Sequence, residues 1–286
     1  MATTRDLADL ASLKAYMVPL AETTRGDVVL ARILTSVSRG IEQYLSRHLV
    51  AESYTELRHG NGLESMRTKN WPIISVAAVT INGHTVTPAQ GPTGPGYIND
   101  EQFIYLRPGG VPGGGGGRFA PGIKNVALSY AAGYLTPGQV ALAGLPEWTA
   151  EKPTAPGAQI LPGNGCVYTA SGEGATGATA PAWPTTIGAA VVDGLITWRC
   201  TAAYVAPPAG AEPLPDDIVV ACLELTSYAA TMRTRMGDTS VGEGPQRVSF
   251  MLKNMHPRTK EALDLHRAVV PIADVVMPGA AGAGRW

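Results

Sequence analysis

The stretch Ile73-Ile74-Ser75-Val76-Ala77-Ala78-Val79-Thr80-Ile81-Asn82-Gly83 carries the clearest strand signal in this sequence. It is rich in β-branched residues, and it ends in Asn-Gly, the dipeptide most typical of a two-residue hairpin turn. The sequence therefore predicts a strand over 73–81 that turns back at once. Working outward, a second hairpin is predicted across Gly60-Asn61-Gly62, with strands at 54–59 and 63–67, and further strands at 103–106 and 126–131.

Helix signals lie on both sides of these strands. Thr3 and Asp6 form a weak capping box before a short first helix, and Asp27 is expected to cap a longer helix over 27–48. The second helix has one apolar stripe, made of Leu30, Ile33, Leu34, Val37, Ile41, Tyr44 and Leu45. A long helix over 216–236 and a shorter one opened by Pro257 are predicted near the other end.

Residues 136–213 differ in composition from the rest of the chain. Gly, Pro, Ala and Thr dominate there, and the stretch holds three of the five tryptophans, Trp148, Trp183 and Trp198. Spaced tryptophans favour a small β-rich module with an aromatic core over a disordered linker. Short strands are predicted at 166–170 and 195–201, and Cys166 and Cys200 fall in these opposed candidate strands, so a disulfide and a pair of buried thiols both stay open.

The overall balance of residues excludes several classes of protein. The 286 residues include 22 Lys and Arg against 23 Asp and Glu, a formal net charge of -1, and 45% are hydrophobic. That much apolar content is typical of a folded chain, and a near-neutral chain lacks the basic excess that tight sequence-independent DNA binding needs. We find neither a long apolar run nor a secretory leader in the sequence, so we expect no membrane contact and a cytosolic site of synthesis.

Motifs for chemistry are nearly absent from the sequence. The run Gly113–Gly117 ends in Arg118 instead of Gly-Lys-Ser/Thr, and it has no strand-to-helix context, so it is a poor phosphate loop. The five histidines include no His-Glu-x-x-His pair, and no Gly-x-Ser-x-Gly elbow is present. We therefore expect no catalytic residue, no cofactor and no metal, and thus no enzyme.

Three separate segments together resemble a known family. They are Trp71-Pro72-Ile73-Ile74-Ser75-Val76, then Ser129-Tyr130-Ala131-Ala132-Gly133-Tyr134, and last Leu214-Pro215-Asp216-Asp217-Ile218 before a long helix. In this order and spacing they are similar to the head–tail connector (adaptor) proteins of tailed bacteriophages. The resemblance covers roughly residues 5–135 and 214–270, and each motif alone is weak.

The resemblance implies a fold and an assembly. The fold expected is α+β: a helical connector core with two N-terminal helices, C-terminal helices and a small antiparallel sheet, plus an inserted small all-β domain. Residues 1–135 and 214–275 would form that core, 136–213 the insert and 276–286 a docking tail. The family implies a virion protein of the neck, assembled in the host cytoplasm into a ring of usually twelve subunits beneath the portal. Its partners would be the portal protein, a stopper, tail terminator or tail tube, and double-stranded DNA that passes without specific binding.

Two regions carry the candidate contact residues. In the family the C-terminal segment tends to dock on the portal, which carries over to Met277, Pro278 and Trp286. The insert resembles small β modules of phage virion proteins, with Pro181-Ala182-Trp183-Pro184 and Asp193-Gly194 before the Trp198 strand. This supports an alternative function, a carbohydrate-binding or decoration protein of the virion whose ligand surface includes Trp148, Trp183 and Trp198.

Overall fold

The structure, a computed structural model, describes residues 4–17, 26–91, 93–110, 116–234 and 255–267. Thirteen strands lie at Glu52–Gly60 (β1), Ser65–Arg67 (β2), Ile73–Ile81 (β3), His84–Val86 (β4), Gly96–Asn99 (β5), Phe103–Arg107 (β6), Gly122–Ala132 (β7), Pro153–Thr154 (β8), Gln159–Ile160 (β9), Cys166–Ala170 (β10), Gly174–Ala175 (β11), Ala190–Asp193 (β12) and Ile196–Ala203 (β13). Five helices lie at Leu10–Tyr16 (α1), Asp27–Leu45 (α2), Pro137–Ala143 (α3), Asp216–Thr234 (α4) and Pro257–Leu265 (α5).

The predicted fold class is wrong. The described part of the chain is mostly β, with four antiparallel sheets and five helices, and it is not a helical core with a small sheet. Many strands were missed because they are two to four residues long and are bounded by Gly and Pro. Such segments have too few residues to show an alternating pattern, so only their pairing partners identify them.

Four helices build the first hydrophobic core. The apolar stripe of α2 packs against α4, α1 and α5, and the buried side chains include Leu34, Ile41 and Ile218. The helix ends differ in detail from the prediction: α1 is capped by Asp9, whose Oδ1 accepts a hydrogen bond from the Ser12 N–H at 2.8 Å. Asp27 is the first residue of α2, behind an N-cap at Gly26.

The first sheet has the strand order β1-β7-β3-β4. The predicted hairpin at Asn82-Gly83 joins β3 to β4, and both turn residues have positive φ, 51° and 80°, as the tight turn requires. The predicted hairpin across residues 60–62 is wrong, because β1 pairs with β7 whereas β2 pairs with β6.

The reason lies at Gly60. A Cβ there would lie 1.8 Å from the Ala120 carbonyl oxygen, so this glycine permits a close backbone approach between β1 and the start of β7. The Gly62 N–H then donates to the Phe119 carbonyl at 2.8 Å, and the chain crosses to the second sheet, β2-β6-β5. The second core fills the space between these two sheets and includes Leu128, Ile104 and Phe119.

Residues 136–213 form their own sheets. The order β12-β13-β10-β9 makes the larger one, and β11-β8 the smaller. The strand predicted at 166–170 is present as β10, and it pairs with β13. The segment also contains α3, which an all-β module lacks; its capping box of Thr136 and Gln139 was a sequence signal that our prediction missed. The division of the chain into domains stays a prediction.

Candidate functional site

The family-like segments meet at one junction between the helices and the first sheet. The Gly133 N–H donates to the Pro72 carbonyl at 2.9 Å, and the Leu214 N–H donates to the Leu135 carbonyl at 2.9 Å. Tyr134 completes the junction, because its N–H donates to the Leu49 carbonyl directly after α2. Three motifs that are far apart in the sequence therefore meet at residues 133–135, where backbone hydrogen bonds reach both of the other segments.

Two of the three tryptophans of residues 136–213 donate hydrogen bonds to one buried carboxylate. Asp193 is 3% exposed, and its Oδ2 accepts hydrogen bonds from the indole N–H of Trp148 at 2.8 Å and of Trp198 at 3.0 Å. Its Oδ1 accepts the Gly177 N–H at 2.7 Å. The carboxylate thus ties the β12–β13 turn to two other segments of the module through three charge-assisted hydrogen bonds. Sequence reasoning noted the Asp-Gly pattern but did not assign this role.

The three tryptophans occupy different depths. Trp198 is fully buried, whereas Trp148 and Trp183 are partly exposed and pack against the same core. The Trp183 ring contacts Tyr168 at a centroid distance of 4.7 Å and Trp198 at 6.3 Å. Of the three tryptophans, Trp148 and Trp183 have the solvent-facing surface that a ligand could contact. The hypothesis that the module binds a ligand through its tryptophans stays a prediction.

The cysteines of the module are two buried free thiols in this structure. Cys166 lies opposite Ala203 and Cys200 lies opposite Tyr168, so the two cysteines are not paired across the strands. Burial, with a further contribution from the neighbouring Cys166, raises the pKa of the Cys200 thiol. Of the two alternatives from the sequence, the structure shows the buried thiols.

Four of the five histidines have a polar partner. His266 Nε2 lies 2.8 Å from Asp217 Oδ2, His256 Nδ1 accepts the Arg258 N–H at the start of α5, and His48 Nδ1 lies 3.3 Å from Glu42. Within the described ranges, no three His, Cys, Asp or Glu side chains come together as a metal site. Across those same ranges, no helix is long and apolar enough to cross a membrane.

One face of β1 is exposed and, over residues 53–57, uncharged. Ser53, Thr55 and Leu57 point outward from β1, and their partners on β7 include Ala127 and Ser129. Leu57 is 57% exposed, and the hydroxyls of Thr55 and Ser129 lie 3.4 Å apart. β1 is also an end strand of its sheet, so among the described strands none pairs with its outer edge. An open edge beside an uncharged face is a surface suited to contact with another chain.

The predicted portal-docking residues Met277, Pro278 and Trp286 lie outside the described residues. Of the glycine run 113–117, the structure describes Gly116 and Gly117. Gly117 packs closely against Pro108.

Comparisons with known proteins give little. No family model matches the chain, and no curated protein matches it. Among solved structures, the chain is similar to one described as "Neck of empty GTA particle computed with C6 symmetry", at 13% sequence identity and a TM-score of 0.41. The match covers 92% of this chain and 90% of that chain. A similarity this low in TM-score carries no weight for the fold or the function of this chain.

Proposed function

We propose that this chain is a structural protein of a bacteriophage virion neck, a head–tail connector subunit. It assembles with identical copies into a ring of about twelve beneath the portal. The ring extends the DNA channel and presents a platform for a stopper, a tail terminator or a tail tube. The observation that carries the proposal is the junction at which the three connector-like segments meet.

The junction supports the proposal because the segments at Trp71, Gly133 and Leu214 need not have met. Each was matched to the family on residue types and order alone. In the fold, Gly133 bonds to Pro72 and Leu135 bonds to both Glu212 and Leu214. The first of these bonds extends the β3–β7 pairing, and the other two bring the third segment to the same end of the sheet, so the three segments lie together as parts of one connector core would.

A closed ring also needs two faces that complement each other on each subunit. The uncharged outer face around Leu57 and the open edge of β1 offer one of them. The near-zero net charge of the chain suits a channel, because DNA must slide past the subunits without strong phosphate contacts.

The proposal is tested by the mass and shape of the purified full-length protein. We expect light scattering after size-exclusion chromatography, with negative-stain images, to show closed rings. Leu57→Lys places a charge on the proposed contact face and should yield monomers with an unchanged circular dichroism spectrum. Val205→Lys is the matched control, because Val205 is 85% exposed and lies in the insert, and it should leave the rings intact.

A monomeric wild-type protein at every concentration reached, in the absence or presence of portal protein, would contradict the proposal. If rings still form with Leu57→Lys, the contact between subunits does not involve this face.

A further inference from the structure

A cleft of about 960 Å³ opens beside the C-terminal end of α2. Its walls come from the segment before α1, from α2 and from the turns that flank β1 and β3. Both signs of charge are present, since Arg5, Arg39, Arg47, His48 and Lys69 lie in the wall with Asp6 and Glu42. What matters for binding is which of these groups already have a partner.

The acidic groups of the cleft are engaged. Asp6 Oδ2 accepts a hydrogen bond from Thr35 at 3.0 Å, and Glu42 Oε1 accepts the Leu49 N–H at 2.8 Å. The second oxygen of Glu42 lies 3.3 Å from His48. Arg5 is also engaged, because it forms an ion pair with Glu52.

Three cations of the cleft have no carboxylate partner among the described residues. Among the described residues, no carboxylate oxygen lies within 4.0 Å of the side-chain nitrogens of Arg39, Arg47 or Lys69. Arg39 and Lys69 are exposed, whereas Arg47 is only 2% exposed. Two exposed cations therefore lie beside one buried cation.

Arg47 is held by neutral groups only. Its Nε donates to the His266 carbonyl at 3.0 Å, its Nη1 donates to the Trp71 carbonyl at 2.5 Å, and its guanidinium lies 3.6 Å from the centre of the Trp71 ring. Its Nη2 is buried and has no hydrogen-bond partner among the described residues. Burial lowers the pKa of Arg47 to about 10, with an opposing contribution from Tyr134.

A second guanidinium strengthens the local positive field. Arg67 lies on the same indole, 4.8 Å from the centre of the Trp71 ring, and its charge also lowers the pKa of Arg47. A buried cation that lacks an acid is unfavourable, because its lost hydration is not replaced by an opposite charge. An anion in the cleft would supply that charge.

We propose that this cleft binds the carboxylates of an acidic protein segment. Arg39 and Lys69 make the first contacts, and a carboxylate at the floor of the cleft pairs with Arg47. Because Nη2 is covered, this last bond forms with a small shift of the Arg47 side chain. The inference does not depend on the proposed neck function.

A protein segment fits the site better than DNA does. Duplex DNA binds through phosphates spread along an extended basic surface, and its affinity grows with their number. Here the three unpaired cations converge in a single cleft of a chain whose net charge is -1. A single flexible acidic side chain suits such a cluster around a buried arginine better than a stiff duplex does.

The test is titration calorimetry on the full chain with a short, amidated peptide of alternating glutamate and glycine. We expect binding that weakens with added salt, and none for the same peptide with glutamine in place of glutamate. Arg39→Gln with Lys69→Met should weaken binding about tenfold. The matched control is Arg32→Gln with Lys124→Met, two exposed cations outside the cleft, and it should leave the affinity within about twofold.

Arg47→Met should abolish binding if the variant folds, as judged by circular dichroism. If it does not fold, the variant with Arg39→Gln and Lys69→Met tests the proposal by itself. The proposal is overturned if the glutamate peptide does not bind at millimolar concentration, or if the cleft and control variants bind equally. It is also overturned if inorganic phosphate or a short DNA duplex binds more tightly than the peptide with the same dependence on Arg39 and Lys69.

Discussion

Asp193→Asn is the sharpest test of what holds residues 136–213 together. The wild-type carboxylate offers two acceptor oxygens to three donors: the Gly177 N–H and the indole N–H groups of Trp148 and Trp198. Asparagine has nearly the same shape but only one acceptor oxygen. Whichever way the amide is oriented, its NH₂ group faces at least one N–H donor, and the remaining bonds lose their charge assistance.

The expected loss follows from these three contacts. A hydrogen bond to a charged group contributes roughly 1.5–3 kcal/mol, and a buried donor left unpaired costs about 1–3 kcal/mol. Trp198 is fully buried, but water can reach Trp148 and Gly177, which are partly exposed, so the full sum does not apply. We expect Asp193→Asn to lower the free energy of unfolding by about 3 kcal/mol, a large part of the 5–15 kcal/mol typical of a domain.

The assay is urea unfolding of the full chain, followed by tryptophan fluorescence. Three of the five tryptophans lie in this module, so the signal reports its unfolding. Glu173→Gln is the matched control, an exposed carboxylate of the same module, and its effect should stay below about 0.5 kcal/mol. The reasoning is refuted if Asp193→Asn falls within about 0.5 kcal/mol of the wild type, because the three hydrogen bonds would then contribute nothing net.

Three further outcomes are expected. Cys166, Cys200 and Cys222 are buried, and burial raises the pKa of Cys222 to about 11, so all three thiols should react with Ellman's reagent only after denaturation. If only one thiol reacts in the denatured protein, Cys166 and Cys200 form a disulfide. Replacing residues 138–211 with a short Gly-Ser bridge should preserve ring assembly. The free energy of unfolding should fall by about 1 kcal/mol, because the hydrogen bond from Gln139 to the Ala51 carbonyl is lost. Insoluble protein would show that the insert belongs to the core. Deleting residues 278–286 should leave a folded protein that no longer attaches to portal-capped heads, and unimpaired attachment in a pull-down would refute the docking role of the tail.

The insert should be easy to excise because its two ends lie close together. The Leu135 N–H donates to the Glu212 carbonyl at 2.7 Å, so the chain leaves and returns at nearly the same point. A short bridge can therefore close the gap, and loop closure of this kind has a small entropic cost.

Local sequence signals predicted the elements that depend on neighbours along the chain. The apolar stripe of α2 needs only its 3.6-residue period, and the β3–β4 turn needs only Asn82-Gly83, because both conformations follow from residues a few positions apart. The same holds for the start of α5 at Pro257. The strand at 166–170 was also predicted locally, and it pairs with the opposed candidate strand that contains Cys200.

Pairings between distant residues were decided by the tertiary structure alone. Gly60-Asn61-Gly62 is a good local turn signal, yet β1 pairs with β7 because Gly60 admits the backbone of Ala120 from far along the chain. The fold class failed for the same reason, since short strands are defined by their partners and not by their own residues. Asp193 looked like an ordinary turn residue until two indoles and a backbone N–H converged on it.

By itself, then, the sequence determined the long helices, the Asn82-Gly83 hairpin and the neutral balance of charge, because each is a property of adjacent residues or of composition. It took the tertiary structure to show that the described part of the chain is mostly β, that the three segments around Trp71, Gly133 and Leu214 meet at one junction, and that Arg47 is buried beside Trp71 with no carboxylate partner among the described residues. These depend on contacts across tens to hundreds of residues, and no local pattern records which of the possible partners a side chain or a strand will meet.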